Sequence, residues 1–95
     1  MTVITGEAAT TDAPRIIKRL CNHWGHKLTV RMDGTTGVIE FPAALVTLRA
    51  MPDRIGATIE GADPAEPRRL TSVVAVHLQR MAGDAELAMS WSDSA

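Results

Sequence analysis

The segment LCNHWGHK, residues 20–27, concentrates side chains that could bind a ligand. It contains His23 and His26, and the third histidine of the chain, His77, follows much later. Three imidazoles suit zinc, iron or copper, with nitrogen-to-metal distances of about 2.1 Å. These residue types therefore suggest a transition-metal site, with iron or zinc as the ion and His23, His26 and His77 as ligands. Lys27 lies beside this set and could pair with an anionic group.

The same histidines also have a structural interpretation. His23, His26 and Lys27 lie near the end of a predicted helix, where cationic side chains bind the last free carbonyls and favour the negative end of the helix dipole. His77 lies in the apolar stripe of a second predicted helix, where a buried imidazole needs a hydrogen-bond partner. His-x-x-His also lacks the i, i+4 spacing of the metalloprotease motif. Both interpretations remain open at this point.

Two other unusual residues of the segment fall on an apolar helical stripe. Cys21 and Trp24 follow Ile16, Ile17 and Leu20 at helical spacing, which predicts that both are core residues. A buried cysteine near a helix C-terminus is a small hydrophobic residue rather than a nucleophile. Gly25 is predicted to end the helix in the left-handed conformation that glycine tolerates.

Two helices and six strands follow from the residue patterns. The first helix begins after Thr11 or Asp12 and ends at Trp24, and the second begins after Asp63 and ends before Gly83. Alternating apolar and polar residues predict the strands. Their predicted ranges are 2–9, 28–32, 37–41, 44–51, 54–60 and 86–91. The inward-facing set of the strand at 44–51 is ambiguous, although Arg49 should be exposed.

The order of these elements predicts the fold class. Strand, helix, four strands, helix, strand is typical of α+β rather than of alternating α/β. Since each strand has one apolar face and each helix one apolar stripe, we expect an antiparallel sheet with both helices packed on one face. Residues 1–92 should form a single domain, and residues 93–95 a frayed C-terminal tail.

The composition excludes several classes of protein. The formal net charge of -1 and an aromatic content of 3% argue against nucleic-acid binding, which needs many cations and stacking rings. A single cysteine suits a reducing compartment, and no run of apolar residues approaches the roughly 20 that a membrane helix needs. We therefore expect a cytoplasmic protein without a membrane segment. No nucleotide-binding loop or nucleophile elbow is present, so a non-catalytic role is favoured over an enzyme.

Four segments resemble a known family. RLCNHWGHK, GVIEFP, VVAVHLQRM and the terminal LAMSW are similar to small bacterial domains of unknown function, about ninety residues long. Such domains occur alone or fused to FAD-dependent siderophore-interacting proteins. The resemblance extends over residues 2–92 and departs from the family at Met81, where an aromatic residue is expected. It implies an iron-uptake context and a siderophore-interacting reductase as the partner.

Three functional hypotheses follow, of which a small enzyme that uses His26 and Lys27 in acid-base work is disfavoured, because no positioned nucleophile or carboxylate accompanies them. In the first, the chain is a non-catalytic binding or accessory domain in iron or siderophore metabolism, with His23, His26, Lys27 and His77 binding a metal or another small-molecule ligand. In the second, it is a protein-protein interaction module, which docks through its open sheet face or its basic helix faces, and its histidines are structural. Apolar side chains on the open sheet face also suggest a homodimer.

Overall fold

The computed structural model describes residues 1–93 and confirms the predicted α+β class. Six antiparallel strands form one sheet, and two helices complete the order β-α-β-β-β-β-α-β. The elements are β1 (Thr2–Ala9), α1 (Ala13–Trp24), β2 (Thr29–Asp33), β3 (Thr36–Phe41), β4 (Ala44–Met51), β5 (Arg54–Gly61), α2 (Ala65–Ala82) and β6 (Ser90–Asp93).

The strands follow the order β2-β3-β4-β5-β1-β6 across the sheet. The consecutive strands β2 to β5 form a meander, because short turns can join antiparallel neighbours directly. The first strand then pairs with β5 along its whole length, from Thr2 opposite Gly61 to Ala9 opposite Arg54. The chain returns after α2 to add β6 beside β1. The first and last strands thus lie side by side in the sheet.

The core lies between one face of the sheet and the two helices. Alternate strand residues point to this face, and the β4 pattern that the sequence left ambiguous is resolved here: Val46 and Leu48 are buried, whereas Arg49 is exposed. Ile39 and Ile59, on the strands that flank β4, point the same way and are also fully buried. Since neither helix covers the other face, the sheet has one packed and one open side.

Helix α1 begins and ends where the sequence predicts, but with different local chemistry. Asp12 precedes the helix without capping it, because its carboxylate instead forms an ion pair with Arg15, 2.8 Å away. Gly25 has φ of -61°, so the predicted left-handed conformation was wrong. The carbonyl of Trp24 accepts the N–H groups of both Lys27 and Leu28, and this tight turn brings the chain into β2.

Helix α2 has the predicted start and end signals. The Asp63 carboxylate accepts the N–H of Ala65 at 2.8 Å, which satisfies one free amide of the first turn. Gly83 ends the helix with φ of 68°, the left-handed region that favours glycine. Within residues 1–93, neither helix is long and apolar enough to cross a membrane.

The last strand lies later in the chain than predicted. It is Ser90–Asp93 rather than residues 86–91, because the segment before it is held by Gln79 of α2. The Gln79 amide donates to the Ala85 carbonyl at 2.9 Å and accepts the N–H of Leu87 at 2.8 Å. Asp93, which the sequence placed in the frayed tail, pairs with β1, and residues 94 and 95 lie outside the described part of the chain.

Candidate functional site

His77 lies in the middle of α2 and is half-buried. Its Nδ1 is 2.7 Å from the carbonyl oxygen of Val73, one helical turn earlier. Because a carbonyl can only accept a hydrogen bond, Nδ1 carries the proton and donates it. In the neutral ring, Nε2 then keeps its lone pair. This is the arrangement in which many metal-binding histidines are oriented, with one ring nitrogen fixed by a backbone carbonyl.

The end of α1 packs against His77. The ring centroids of Trp24 and His77 are 5.0 Å apart with an interplanar angle of 42°, and the Trp24 side chain is buried. Phe41, at the end of β3, contacts the same indole edge-on at 5.2 Å and 84°. Trp24 therefore holds the two helices and the sheet together with ring-to-ring geometries that aromatic groups favour.

His23 lies beside His77 in space although the two are far apart in the chain. It is exposed on the last turn of α1, and its ring centroid is 5.8 Å from that of His77, tilted by 38°. Two of the three predicted ligands are thus brought together. We call His23 and His77 the imidazole cluster, and Trp24 lies beside it. The cluster lies where α1 and α2 meet, so its geometry depends on the packing of the two helices.

His26 lies apart from this cluster. It is exposed in the turn after α1 and lines an open groove that also contains Cys21, Val30 and Met32. Within residues 1–93, no group of three or more histidine, cysteine, aspartate and glutamate side chains is placed to hold a metal ion. The three-imidazole arrangement is therefore not assembled in this structure, because the turn at Gly25 directs His26 toward β2. Lys27 is exposed in the same turn.

Cys21 behaves as the core residue that its spacing predicts. It is only 4% exposed, and burial raises the pKa of its thiol above the ordinary value. A Cβ atom on Gly37 would lie 2.6 Å from the Cys21 sulfur, so the absence of a side chain at Gly37 gives the thiol its space. A buried thiol with a raised pKa is a poor nucleophile at neutral pH.

Several arginines on the basic helix faces are engaged within the chain. Arg69 forms a bidentate pair with Glu66 at 2.8 Å, and this contact lowers the pKa of that carboxyl and raises the pKa of the guanidinium. Arg68 reaches Asp93 of β6 at 3.2 Å. Arg19 of α1 donates to a backbone carbonyl near the end of α2. These exposed contacts are typical of solvated helix faces.

Sequence reasoning missed two features of this region. The contact of Trp24 with Phe41 and His77 joins three elements, and only the apolar position of His77 in its stripe gave a signal of it. Gln79, which fixes the segment between α2 and β6, gave no signal, because a single glutamine on a helix has no distinguishing pattern. The Trp24 contacts join residues that are distant in the chain, and the Gln79 contacts are specific side-chain hydrogen bonds to nearby backbone, so neither produces a periodic pattern.

The protein is a small α+β domain with one antiparallel sheet and two helices on one face of it. The imidazole cluster lies where the two helices meet. A profile of the family DUF2218, described as an uncharacterized protein conserved in bacteria, matches residues 5–92. The chain therefore belongs to this bacterial family.

Comparison with solved structures supports the same fold. The chain is similar to the NMR structure of PA4090 from Pseudomonas aeruginosa, with 36% sequence identity and a TM-score of 0.82. The alignment covers 97% of this chain and 96% of that chain. No functionally curated protein matches the chain.

Proposed function

We propose that this protein is a non-catalytic accessory domain that binds a divalent transition metal through His23 and His77. The observation that carries the proposal is the hydrogen bond from His77 Nδ1 to the Val73 carbonyl at 2.7 Å. It fixes the ring and leaves Nε2 available as a ligand, while the ring of His23 lies 5.8 Å away.

The spacing of the two rings suits one shared ion. When two imidazoles each bind the same ion at about 2.1 Å, their ring centroids lie about 5 to 6.4 Å apart, depending on the angle at the metal. The 5.8 Å between His23 and His77 falls in this range. Imidazole ligands suit iron, zinc and copper, and two of them leave coordination positions open for water or a chelating oxygen ligand. Buried Trp24 supports the His77 ring from one side.

The resemblance to domains fused to siderophore-interacting proteins gives this site a metabolic context. We infer a cytoplasmic role in iron or siderophore metabolism, with iron as the first ion to test and zinc as the second. A siderophore-interacting reductase is the proposed partner. Lys27, exposed in the turn after α1, is available to an anionic group of the ligand. His26 is outside the proposed ligand set, because it faces the groove beside β2.

Calorimetric titration of the apo-protein with Fe(II) under anaerobic conditions, and with Zn(II) and Cu(II), tests the proposal. We expect one ion per chain, and His77→Ala and His23→Ala should each weaken binding by about 10- to 100-fold. His26→Ala is the matched control and should bind like the wild type. Absence of binding to the wild type, or an equal loss in His26→Ala, would contradict the proposal.

The alternative is an interaction module with structural histidines, and one observation favours it. The carbonyl bond and the contact with Trp24 at 5.0 Å already account for the position of His77 without a ligand. In this case His77→Leu leaves the binding of the reductase intact, whereas charge reversal at Arg15 and Arg19 on α1 weakens it. A pull-down with a purified siderophore-interacting reductase measures this, and the metal titration separates the two proposals, because only the first expects an ion to bind.

A further inference from the structure

The open face of the sheet carries an ordered pattern of side chains. Strand register aligns one row across all six strands, and its side chains are mainly threonine, valine and serine. This central row consists of Arg31, Val38, Thr47, Thr58, Thr5 and Ser92. Val38, Thr47 and Thr58, on the adjacent strands β3, β4 and β5, are half-buried although neither helix covers them. These three side chains are small and uncharged.

Charged side chains lie on both sides of the central row. On one side, register aligns Glu40, Leu45 and Glu60 on β3, β4 and β5, and we call these three residues the acidic row. On the other side, Arg49 of β4 is aligned with Gly56 of β5 and, toward the edge strand β2, with Thr36 and Asp33. Arg49 is exposed, and its guanidinium donates to the Thr58 hydroxyl at 3.0 Å, so it lies over this face.

We propose that this face binds a second copy of the chain about a two-fold axis that runs along the central row. Such an axis places each strand over its own copy in the opposite direction, so the acidic row of one chain faces the Arg49 side of the other. The partner's Arg49 then lies above Leu45, between Glu40 and Glu60. The partner's Glu60 then lies above Gly56, and the flexible Met51 side chain, whose methyl group covers this glycine, must move aside. Each contact away from the axis occurs twice, as a two-fold interface requires.

Charge also selects this axis over the alternative. An in-plane axis parallel to the strands would place arginine beside arginine and the acidic row over itself, and like charges in an interface are unfavourable. Glu7, the acidic residue on the Arg49 side of β1, is already paired with Arg54 at 3.2 Å. On binding, the exposed side chain of Arg49 exchanges its hydroxyl contact for two carboxylates of the partner.

The dimensions predict a weak, concentration-dependent dimer. The four central strands are six to eight residues long and about 4.8 Å apart, so they cover about 500 Å² of sheet face. A stable interface of standard size uses about 800 Å² on each partner. We therefore expect dissociation in the micromolar range, and strong sensitivity to salt because the charged contacts lie at the sides of the interface.

Sedimentation equilibrium of the full chain at about 10 to 500 µM tests the proposal at low and high salt. The wild type should shift from monomer to dimer, and Arg49→Glu should weaken dimerisation by at least about tenfold. The double variant Glu40→Arg/Glu60→Arg should behave in the same way. Lys18→Glu on α1, which makes the same charge change on the helix side, should dimerise like the wild type.

Mixing the two charge-reversed proteins provides the decisive measurement. Each homodimer brings like charges together, but the mixture restores both sets of opposite charges, so a 1:1 heterodimer should form about as strongly as the wild-type dimer. This recovery also shows that both variants are folded. A wild type that remains monomeric up to about 500 µM, or a mixture that does not associate, would overturn the proposal. Metal binding at the helix side is measured separately and does not depend on this result.

Discussion

Among the individual residues, His77 shows how an apolar stripe accommodates a polar ring. Its bond to the Val73 carbonyl satisfies one ring nitrogen, and an unsatisfied buried polar group would cost about 1 to 3 kcal/mol. The proposed metal binding uses the other ring nitrogen, Nε2, so the structural and the proposed functional interpretation of His77 are compatible.

Cys21 should be protected from thiol reagents in the folded chain. Burial raises the pKa of its thiol, so the thiolate fraction at pH 8 is smaller than that of an exposed cysteine. We expect slow reaction with a disulfide reagent in the native protein and a rate close to that of free cysteine in urea. Equal rates in the two states would show that the thiol is exposed.

The same shift has a consequence for stability at alkaline pH. The folded chain favours the neutral thiol, so the contribution of Cys21 to stability is complete below the ordinary thiol pKa and decreases as the pH rises through the raised value. The urea midpoint of the wild type should therefore decrease at alkaline pH, and Cys21→Ala should lack the part of this decrease that the thiol causes. An identical pH profile in the two proteins would contradict the assignment.

At the scale of elements, each helix is stabilised by one buried stripe. In α1 the buried residues recur at helical spacing along one face, and in α2 Leu70, Val74 and Leu78 do the same. Short helices are marginal alone, so packing against the sheet supplies most of their stability. These two stripes, in turn, cover the apolar face of the sheet.

Two valines of α2 provide a matched test of this one-sided packing. Val74 is fully buried, whereas Val76 is 50% exposed. Val74→Ala should reduce the free energy of unfolding by about 2 kcal/mol, because it removes buried methyl groups and leaves a cavity. Val76→Ala should change it by less than about 0.5 kcal/mol, since alanine favours helix and little packing is lost. Urea denaturation of both variants measures the difference, and equal losses would contradict this packing.

At the scale of the whole molecule, the two proposed binding surfaces lie on opposite sides of the sheet. The imidazole cluster lies where the helices meet, and the proposed dimer face lies on the opposite side of the sheet. A metal ion and a second copy could therefore bind the same chain together. The two proposals thus place ligand binding on the helix side and self-association on the sheet side of one small fold.

Dimerisation should make thermal stability depend on protein concentration. When folded chains associate and unfolded chains do not, mass action raises Tm as the concentration increases. We expect a rise in the wild type between about 10 and 500 µM and a constant Tm for Arg49→Glu. Differential scanning calorimetry measures both. A constant wild-type Tm over this range would argue against the dimer.

Local patterns determined much of the fold, as particular residues show. Alternation in β4 and β5 and helical spacing from Ala13 to Trp24 are properties of neighbouring residues, so their elements were predicted closely. Apolar and polar residues also alternate from Glu86 to Met89, yet this segment forms no strand, because the Gln79 side chain in the last turn of α2 binds its backbone. A hydrogen bond from a single side chain to the backbone leaves no periodic signal in the sequence.

The sequence by itself determined the α+β class, the one-sided core and the burial of Cys21 and Trp24, because side-chain periodicity decides which face of an element is apolar. Only the tertiary structure decided which histidines meet. The packing of α1 against α2 brings His23 to His77, while the backbone turn at Gly25 sends His26 toward β2. The physical reason is that a shared site depends on the relative placement of two helices, which contacts distant in the chain determine.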